Sequence, residues 1–337
     1  MGKRLLLFAC VLGIATGIVS AGWAQDYIPN KEADKLDKEL MKKKQGWIPY
    51  LSIGGNVSFG HSHNVVGSAN GASWTLGLNL DGRIALNRLP HEWRNKLQIT
   101  ETFTRTPAIP RFTKSADALR FNSIYLYHIK DLWFGPFASL TANTALFHGF
   151  DDRAATTTYQ ITELDGRANL RAGTRLQTSK PFTPTTLKEA VGFFAQPFQR
   201  RWLNIELRLG IGANQTFVDR ALALDDNADT KDIIEYKRLR DFSTVGIELE
   251  AEFTGKFRKI ITYSVSGDLY YPFYKSIPTD LSQAQRLHVE IEAKLGVKLA
   301  SWASLDYVLT AKRLPFLSRE WQVQNGLLLS IAFVVGK

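Results

Sequence analysis

One cysteine, Cys10, is the only thiol in this chain of 337 residues. It falls inside an apolar N-terminal run, so no disulfide staples the remainder, although exported soluble domains of this size often carry one. Long apolar runs are scarce as well. Past Val19 no stretch approaches the roughly eighteen uninterrupted apolar residues of a membrane helix, and mean hydropathy is −0.15. A bundle of membrane helices is excluded. Phosphate loops and dinucleotide fingerprints are missing, which removes the common nucleotide-binding folds. The formal charge is +10, falling to +8 without Lys3 and Arg4. The basic residues are spread over alternating segments and not gathered in a patch, so nucleic acid is not an expected partner.

What is present begins with Lys3 and Arg4, an apolar run from Leu5 to Val19, and the small-residue stretch Ser20, Ala21, Gly22, Trp23, Ala24. That order is an export signal, residues 1–24, cleaved after Ala24, with Cys10 as one of its apolar residues. Residues 25–46 are rich in Lys, Asp and Glu and read as a solvated periplasmic helix or tail without a core of its own.

From residue 47 to 337 the apolar residues recur at every second position. Between Leu287 and Leu299 they are Leu287, Val289, Ile291, Ala293, Leu295, Val297 and Leu299, alternating with His288, Glu290, Glu292, Lys294, Gly296 and Lys298. A strand sends successive side chains to opposite faces, so such a segment has one oily and one charged wall. Twelve candidate strands follow this rule, at about 50–60, 72–86, 93–105, 117–128, 133–147, 167–178, 201–217, 240–255, 259–271, 285–299, 301–313 and 320–335. Glu101 breaks the phase, standing with Leu97, Ile99 and Phe103, which calls for a bulge or an interfacial position. With the N-terminus in the periplasm, connectors alternate long outside and short inside, as in bacterial outer-membrane barrels. One inner connector, 179–200, is too long for that rule. Its prolines and its apolar run from Val191 to Ala195 suggest an interfacial helix or a lumenal insertion. The expected fold is all-β, a transmembrane antiparallel up-and-down barrel of about 12 strands. It would sit in the outer membrane with both termini periplasmic. Its partners would be outer-membrane lipid and, during insertion, the barrel-assembly machinery; the oligomeric state is left open. Trp47, Trp74, Trp93, Trp133, Trp202, Trp302 and Trp321 all lie near predicted strand ends and are expected to form the aromatic girdle.

Several short motifs occur in a fixed order. Trp74 is followed by Gly77, Trp93 by Asn95, and Lys114 and Asp117 precede Tyr125 and Tyr127. Phe147 and Gly149 close one strand, Leu269 to Tyr274 another, and Tyr307 stands in a third. In this order the chain resembles a family of outer-membrane barrels of unknown function, best known from Bacteroidetes. The family's glycine pair has Leu78 at its second position here, and the C-terminal residues Phe333 to Lys337 do not end in an aromatic. The resemblance implies fold and location and supplies no activity.

Chemistry, if any, belongs to the polar wall. One arc presents Arg83, Lys96, Arg120, Arg167, Arg171 and Arg175. The other presents Glu248, Glu250, Glu252, Asp268, Glu290, Glu292 and Asp306. In a closed barrel these arcs would form a charged path for a small polar solute, or pair across a closed lumen beneath functional outer loops. A phospholipase-like enzyme is the third reading, with His288 and Glu290 as its nearest suggestion, but no serine motif accompanies them. His61 and His63 have no third ligand nearby, and Asp225, Asp226, Asn227, Asp229 and Asp232 lack the glycine and terminal glutamate of a calcium loop. No catalytic residue, metal or cofactor is expected.

Overall fold

In a computed structural model the described residues are 45–62, 71–200, 202–225, 230, 232–258, 260–278, 281–299, 303–315 and 318–335. The signal peptide, nearly all of the charged segment, His63, Trp302, Asp226, Asn227 and Asp229 lie outside them. The strands are β1 (Gly46–Ser62), β2 (Gly71–Arg88), β3 (His91–Arg105), β4 (Thr113–Tyr127), β5 (Phe134–Thr144), β6 (Gly149–Thr162), β7 (Ala168–Ser179) and β8 (Thr185–Gln199). They continue with β9 (Asn204–Phe217), β10 (Leu222–Leu224), β11 (Ile233–Arg238), β12 (Phe242–Phe257), β13 (Ile261–Lys275), β14 (His288–Lys298), β15 (Ala303–Leu314) and β16 (Ser318–Val335). Among the described residues, twelve strands close into a ring in the order β1-β16-β15-β14-β13-β12-β9-β8-β5-β4-β3-β2, and β10-β11-β6-β7 form a separate sheet.

Membership of the ring differs from the sequence-based expectation at one place. The segment expected as the sixth barrel strand, 167–178, is β7 and belongs to the second sheet. The true sixth ring member is β8, inside the stretch expected to be an inner connector. The reason is chemical. On β8 the inward positions Ala190, Gly192 and Phe194 are as apolar as the outward Val191 and Phe193, so the two-residue contrast vanishes. Pro197 then sits in a bulge where the β8–β9 register slips between Ala195 and Phe198. With β8 in place the long inner connector disappears. One end of the ring has only short turns, such as 89–90 and 200–203, and the other carries the long connections 145–184 and 218–241.

Alternation decides which wall faces where. On β2, Asn79, Asp81, Arg83 and Ala85 are buried while Trp74, Leu76, Leu78 and Ile84 are exposed. The same outward exposure recurs at Val57, Phe193, Leu209, Ile211, Ile247 and Leu295. A continuous apolar belt of this kind cannot stand in water, because soluble surfaces tolerate only limited apolar patches. Trp47, Trp93, Trp133 and Trp202 sit at the short-turn end, with Trp47 edge-on to Trp93 at 6.0 Å. Phe59 and Trp74 mark the opposite end of the wall. Phe59 lies twelve positions along β1 from Trp47. At about 3.3 Å per residue and a tilt near 40° the belt is about 30 Å tall, the thickness of a hydrocarbon core.

Glu101 faces outward, opposite Leu78 and Asp117, and the ladder slips one residue later, between Thr102 and Phe103. It avoids lipid by being covered. Asp117 accepts the backbone N–H groups of Leu146 (2.6 Å) and Phe147 (2.8 Å) and an N–H of Lys114 (2.5 Å), which draws that segment over the carboxylate pair.

The second sheet stands at the long-loop end. β6 and β7 form a hairpin, and β11 joins β6 in parallel from a different connection. Its edges β10 and β7 approach each other, so the sheet curls around Tyr159, Ile161, Leu176 and Tyr236.

Candidate functional site: the barrel lumen

The inward face of the ring is built from the polar phase of each strand, and most of its charges are in ion pairs. Asp81 holds Arg83 through two bonds (2.6 and 2.5 Å) and has Lys96 at 3.9 Å. Arg120 donates to Asn143 at 2.8 Å. Cross-strand register aligns Arg208, Glu250, Asp268, Glu290 and Lys312 side by side across β9, β12, β13, β14 and β15. Beside them Glu206, Glu252, Ser266 and Glu292 form a second row. Lys294 lies 2.8 Å from Glu292, and Ser304 donates to Asp306 at 2.8 Å.

Ion pairs also link ring strands that are not neighbours. Arg94 on β3 donates to Glu92 (2.5 Å) and to Glu206 on β9 (3.1 Å). Along the ring β3 and β9 are four places apart, a path of about 19 Å at 4.8 Å per strand. The two side chains meet across the lumen at this level. His128 Nε2 meets the other oxygen of Glu92 at 2.6 Å, and Gln196 donates to Glu206 at 3.0 Å. Arg208 lies between Glu206 (3.7 Å) and Glu250, to which it is hydrogen-bonded. Glu206 is 1 % exposed, and a charge so far from water persists only with partners of this number. Next to it Ile124, Leu126, Phe137, Ala190 and Phe194 pack into an apolar cluster on the inner face of β4, β5 and β8. Together they constrict the short-turn half of the lumen.

Another such link is nearer the middle. Lys188 on β8 reaches past β9 to Glu248 on β12 (2.9 Å) and to Asp268 on β13. What brings β8 close is a glycine seam. Gly192 and Gly210 face each other in register, and a Cβ at Gly192 would stand 2.1 Å from the Leu209 carbonyl oxygen. Gly246, further along the seam, has the Tyr271 carbonyl at 2.4 Å from the same position. No residue with a side chain fits these inward corners.

Of the expected lumenal residues, Arg83, Lys96, Arg120, Glu248, Glu250, Glu252, Asp268, Glu290, Glu292 and Asp306 are on ring strands. Arg167, Arg171 and Arg175 are not, and this corrects the expected basic arc. Arg171 and Arg175 belong to β7, with Arg167 just before it. Arg167 pairs with Asp165 at 3.3 Å, and Arg175 pairs with Asp152 at 3.4 Å and stacks on Phe150. The partners that replace them, Arg94, Lys188 and Arg208, were legible only in part. Arg208 falls on the polar phase of the segment 201–217, opposite Leu207 and Leu209, whereas Lys188 lies in the stretch expected to be a connector. His288 packs edge-on against Tyr270 at 5.3 Å. Of the expected girdle, Trp47, Trp74, Trp93, Trp133, Trp202 and Trp321 are all exposed. Among the described residues no group of three His, Cys, Asp or Glu is placed to hold a metal ion.

Polar groups of the outer sheet are strongly biased as well. Burial, with Asp151 accepting its hydroxyl at 2.8 Å, pushes Tyr236 well above the usual phenol range. The Arg238 guanidinium, hydrogen-bonded to Glu163, holds that carboxyl below its ordinary value.

Residues 64–150 match the model of a family described as a protein of unknown function, DUF3078. This stretch contains the Trp74, Trp93, Asp117 and Tyr125 motifs and is less than half of the chain. No curated protein matches. Among solved structures, the translocator domain of the autotransporter NalP from Neisseria meningitidis is 7 % identical, with 90 % of this chain and 95 % of that one covered and a TM-score of 0.40. An outer membrane channel from Pseudomonas putida F1 is 6 % identical, with 93 % and 99 % covered and a TM-score of 0.36. The beta domain of the Bordetella autotransporter BrkA is 11 % identical, with 86 % and 96 % covered and a TM-score of 0.32. The barrel itself rests on the closed strand ladder and the exposed apolar belt, not on these likenesses.

Proposed function

We propose that this chain is an outer-membrane β-barrel that binds and passes small polar solutes along a charged lumen, without covalent chemistry. Residues 1–24 are its export signal, 25–46 a periplasmic segment and 47–337 the barrel, with both ends periplasmic, the short turns inside and the outer sheet facing the environment. Barrel-assembly machinery inserts it among outer-membrane lipid.

The observation that carries this reading is the water-reached charge at mid-lumen. The side chains of Lys188 and Asp268 keep 28 % and 23 % exposure although they face inward on a closed wall. A lumen meant only to be filled would be more stable with apolar side chains of the same volume, since buried ion pairs seldom repay their desolvation. The expected field also changes shape. With Arg167, Arg171 and Arg175 outside the ring, the β12–β14 acids meet Lys188 from β8, Arg208 from β9 and Lys294 on β14.

Planar-bilayer recording of the purified protein tests this. Steady openings are expected, and Glu250→Gln should shift their cation selectivity while Arg171→Gln leaves it unchanged. Silence at all voltages would discard passage. It would favour a second reading, a closed receptor-type barrel, for which the Arg94–Glu206 constriction and the separately cored outer sheet speak.

A further inference from the structure

Lys188 reaches up to three places round the ring to find its partners. Its ammonium lies 2.9 Å from Glu248 and is hydrogen-bonded to Asp268, whereas neither β12 nor β13 supplies a cation of its own at this level. Resting on the solute reading above, we propose that the space between Glu248 and Asp268 is a seat for the primary ammonium group of a small solute. Lys188 fills that seat at rest as a built-in competitor.

The seat has acceptor capacity that Lys188 does not use. Glu248 Oε2 and Asp268 Oδ1 are both buried and accept no hydrogen bond among the described residues. Glu248 is 6 % exposed. Its free oxygen is aimed at Gly212, where an ideal Cβ would lie 2.8 Å away, so no side chain caps it from the β9 side. An ammonium offers three rotatable donors and one compact charge, which suits two carboxylates approached singly from different strands. A guanidinium fork suits a single carboxylate gripped in two places, as Arg83 grips Asp81. Glu248 and the free oxygen of Asp268 are already buried by the fold, so an incoming ammonium replaces a like charge. The exposed flank of Lys188 is the side from which the exchange begins. Anions meet Glu248, Glu250, Asp268 and Glu290 together and are repelled.

Titration calorimetry on the folded, detergent-solubilised protein tests the seat, with 1,5-diaminopentane as the probe and glutarate, its dicarboxylate counterpart, as the control. Lys188→Met is expected to bind the diamine at least tenfold more tightly than the native chain. Adding Glu248→Gln should remove that gain, and glutarate should bind neither. Equal diamine affinity in native and Lys188→Met protein overturns the proposal, as does a gain that survives Glu248→Gln. If Lys188→Met does not give the folded form, Glu248→Gln alone is compared with the native chain. At least a fivefold loss of diamine affinity is expected there, and no change overturns the seat. Calorimetry needs no conduction. A protein silent in the bilayer that gains diamine affinity keeps the seat and loses passage; a conducting protein without the gain loses the seat and keeps passage.

Discussion

Replacing Gly192 by alanine should break the barrel wall more than any charge reversal on its surface. The added Cβ would lie 2.1 Å from the Leu209 carbonyl oxygen, 2.5 Å from Gly210 Cα and 2.9 Å from the Leu209 carbonyl carbon. All three are backbone atoms, so no rotamer change relieves them. A carbon approaches a carbonyl oxygen no closer than about 3.3 Å in ordinary packing, and β8 must move from β9 by about 1.2 Å. A ladder bond near 2.9 Å is then stretched past its limit of about 3.5 Å. Two flanking bonds at about 1 kcal/mol each, with overpacking of about 1–3 kcal/mol, give a loss of about 3–5 kcal/mol. Urea unfolding in lipid, followed by tryptophan fluorescence and by the mobility of unheated samples on gels, measures it. Gly267→Ala is the control, because nothing lies within 4 Å of its Cβ position and that position faces out between Val265 and Leu269. It should stay within about 0.5 kcal/mol of the native chain. Equal midpoints for the two variants would refute the seam.

Arg94→Met takes the cross-lumen partner from Glu206, which keeps Arg208 at 3.7 Å and Gln196 at 3.0 Å, and should cost about 3 kcal/mol, the low end for a broken buried pair; Arg94→Met with Glu206→Gln should recover part of the urea midpoint. The outer sheet has its own pH dependence. Glu163 is held below its ordinary value by Arg238, so its contribution is complete above the unfolded carboxylate value of about 4.3 and is lost as pH falls through the lower folded one. Protease cleavage in the 218–241 connection should therefore accelerate on acidification below that point in the native chain. In Arg238→Ala cleavage should already be fast at neutral pH, and equal rates in both proteins would disprove the link.

Legibility followed the solvent. Lipid enforces apolar residues on one face, so Leu203 to Ile211 and Val245 to Phe253 announce strands by composition alone. β8 escaped because an apolar lumen patch, Ala190 and Phe194, meets the same kind of residue outside. Exposed β7 was mistaken for its replacement because its arginines alternate with Leu170, Ala172 and Leu176, and alternation does not say what lies on either side. The second sheet was beyond local patterning. Its central contact, Ile234 beside Tyr159, pairs strands in parallel from two separate connections.

Ion-pair partners were hidden for a different reason. Alternation assigns Lys188 and Asp268 to an inner face, but only ring order and depth make neighbours of residues eighty positions apart. Both come from the seam. Gly192 and Gly210 let β8 close against β9, which shortens the chord from β8 to β12 and β13 until one lysine side chain spans it. Without Lys188, Glu248 and Asp268 would lose the cation that both contact, a loss that their desolvation makes costly. The inward glycines and the crossing lysine are therefore one device, in which backbone curvature sets the distance and charge makes use of it.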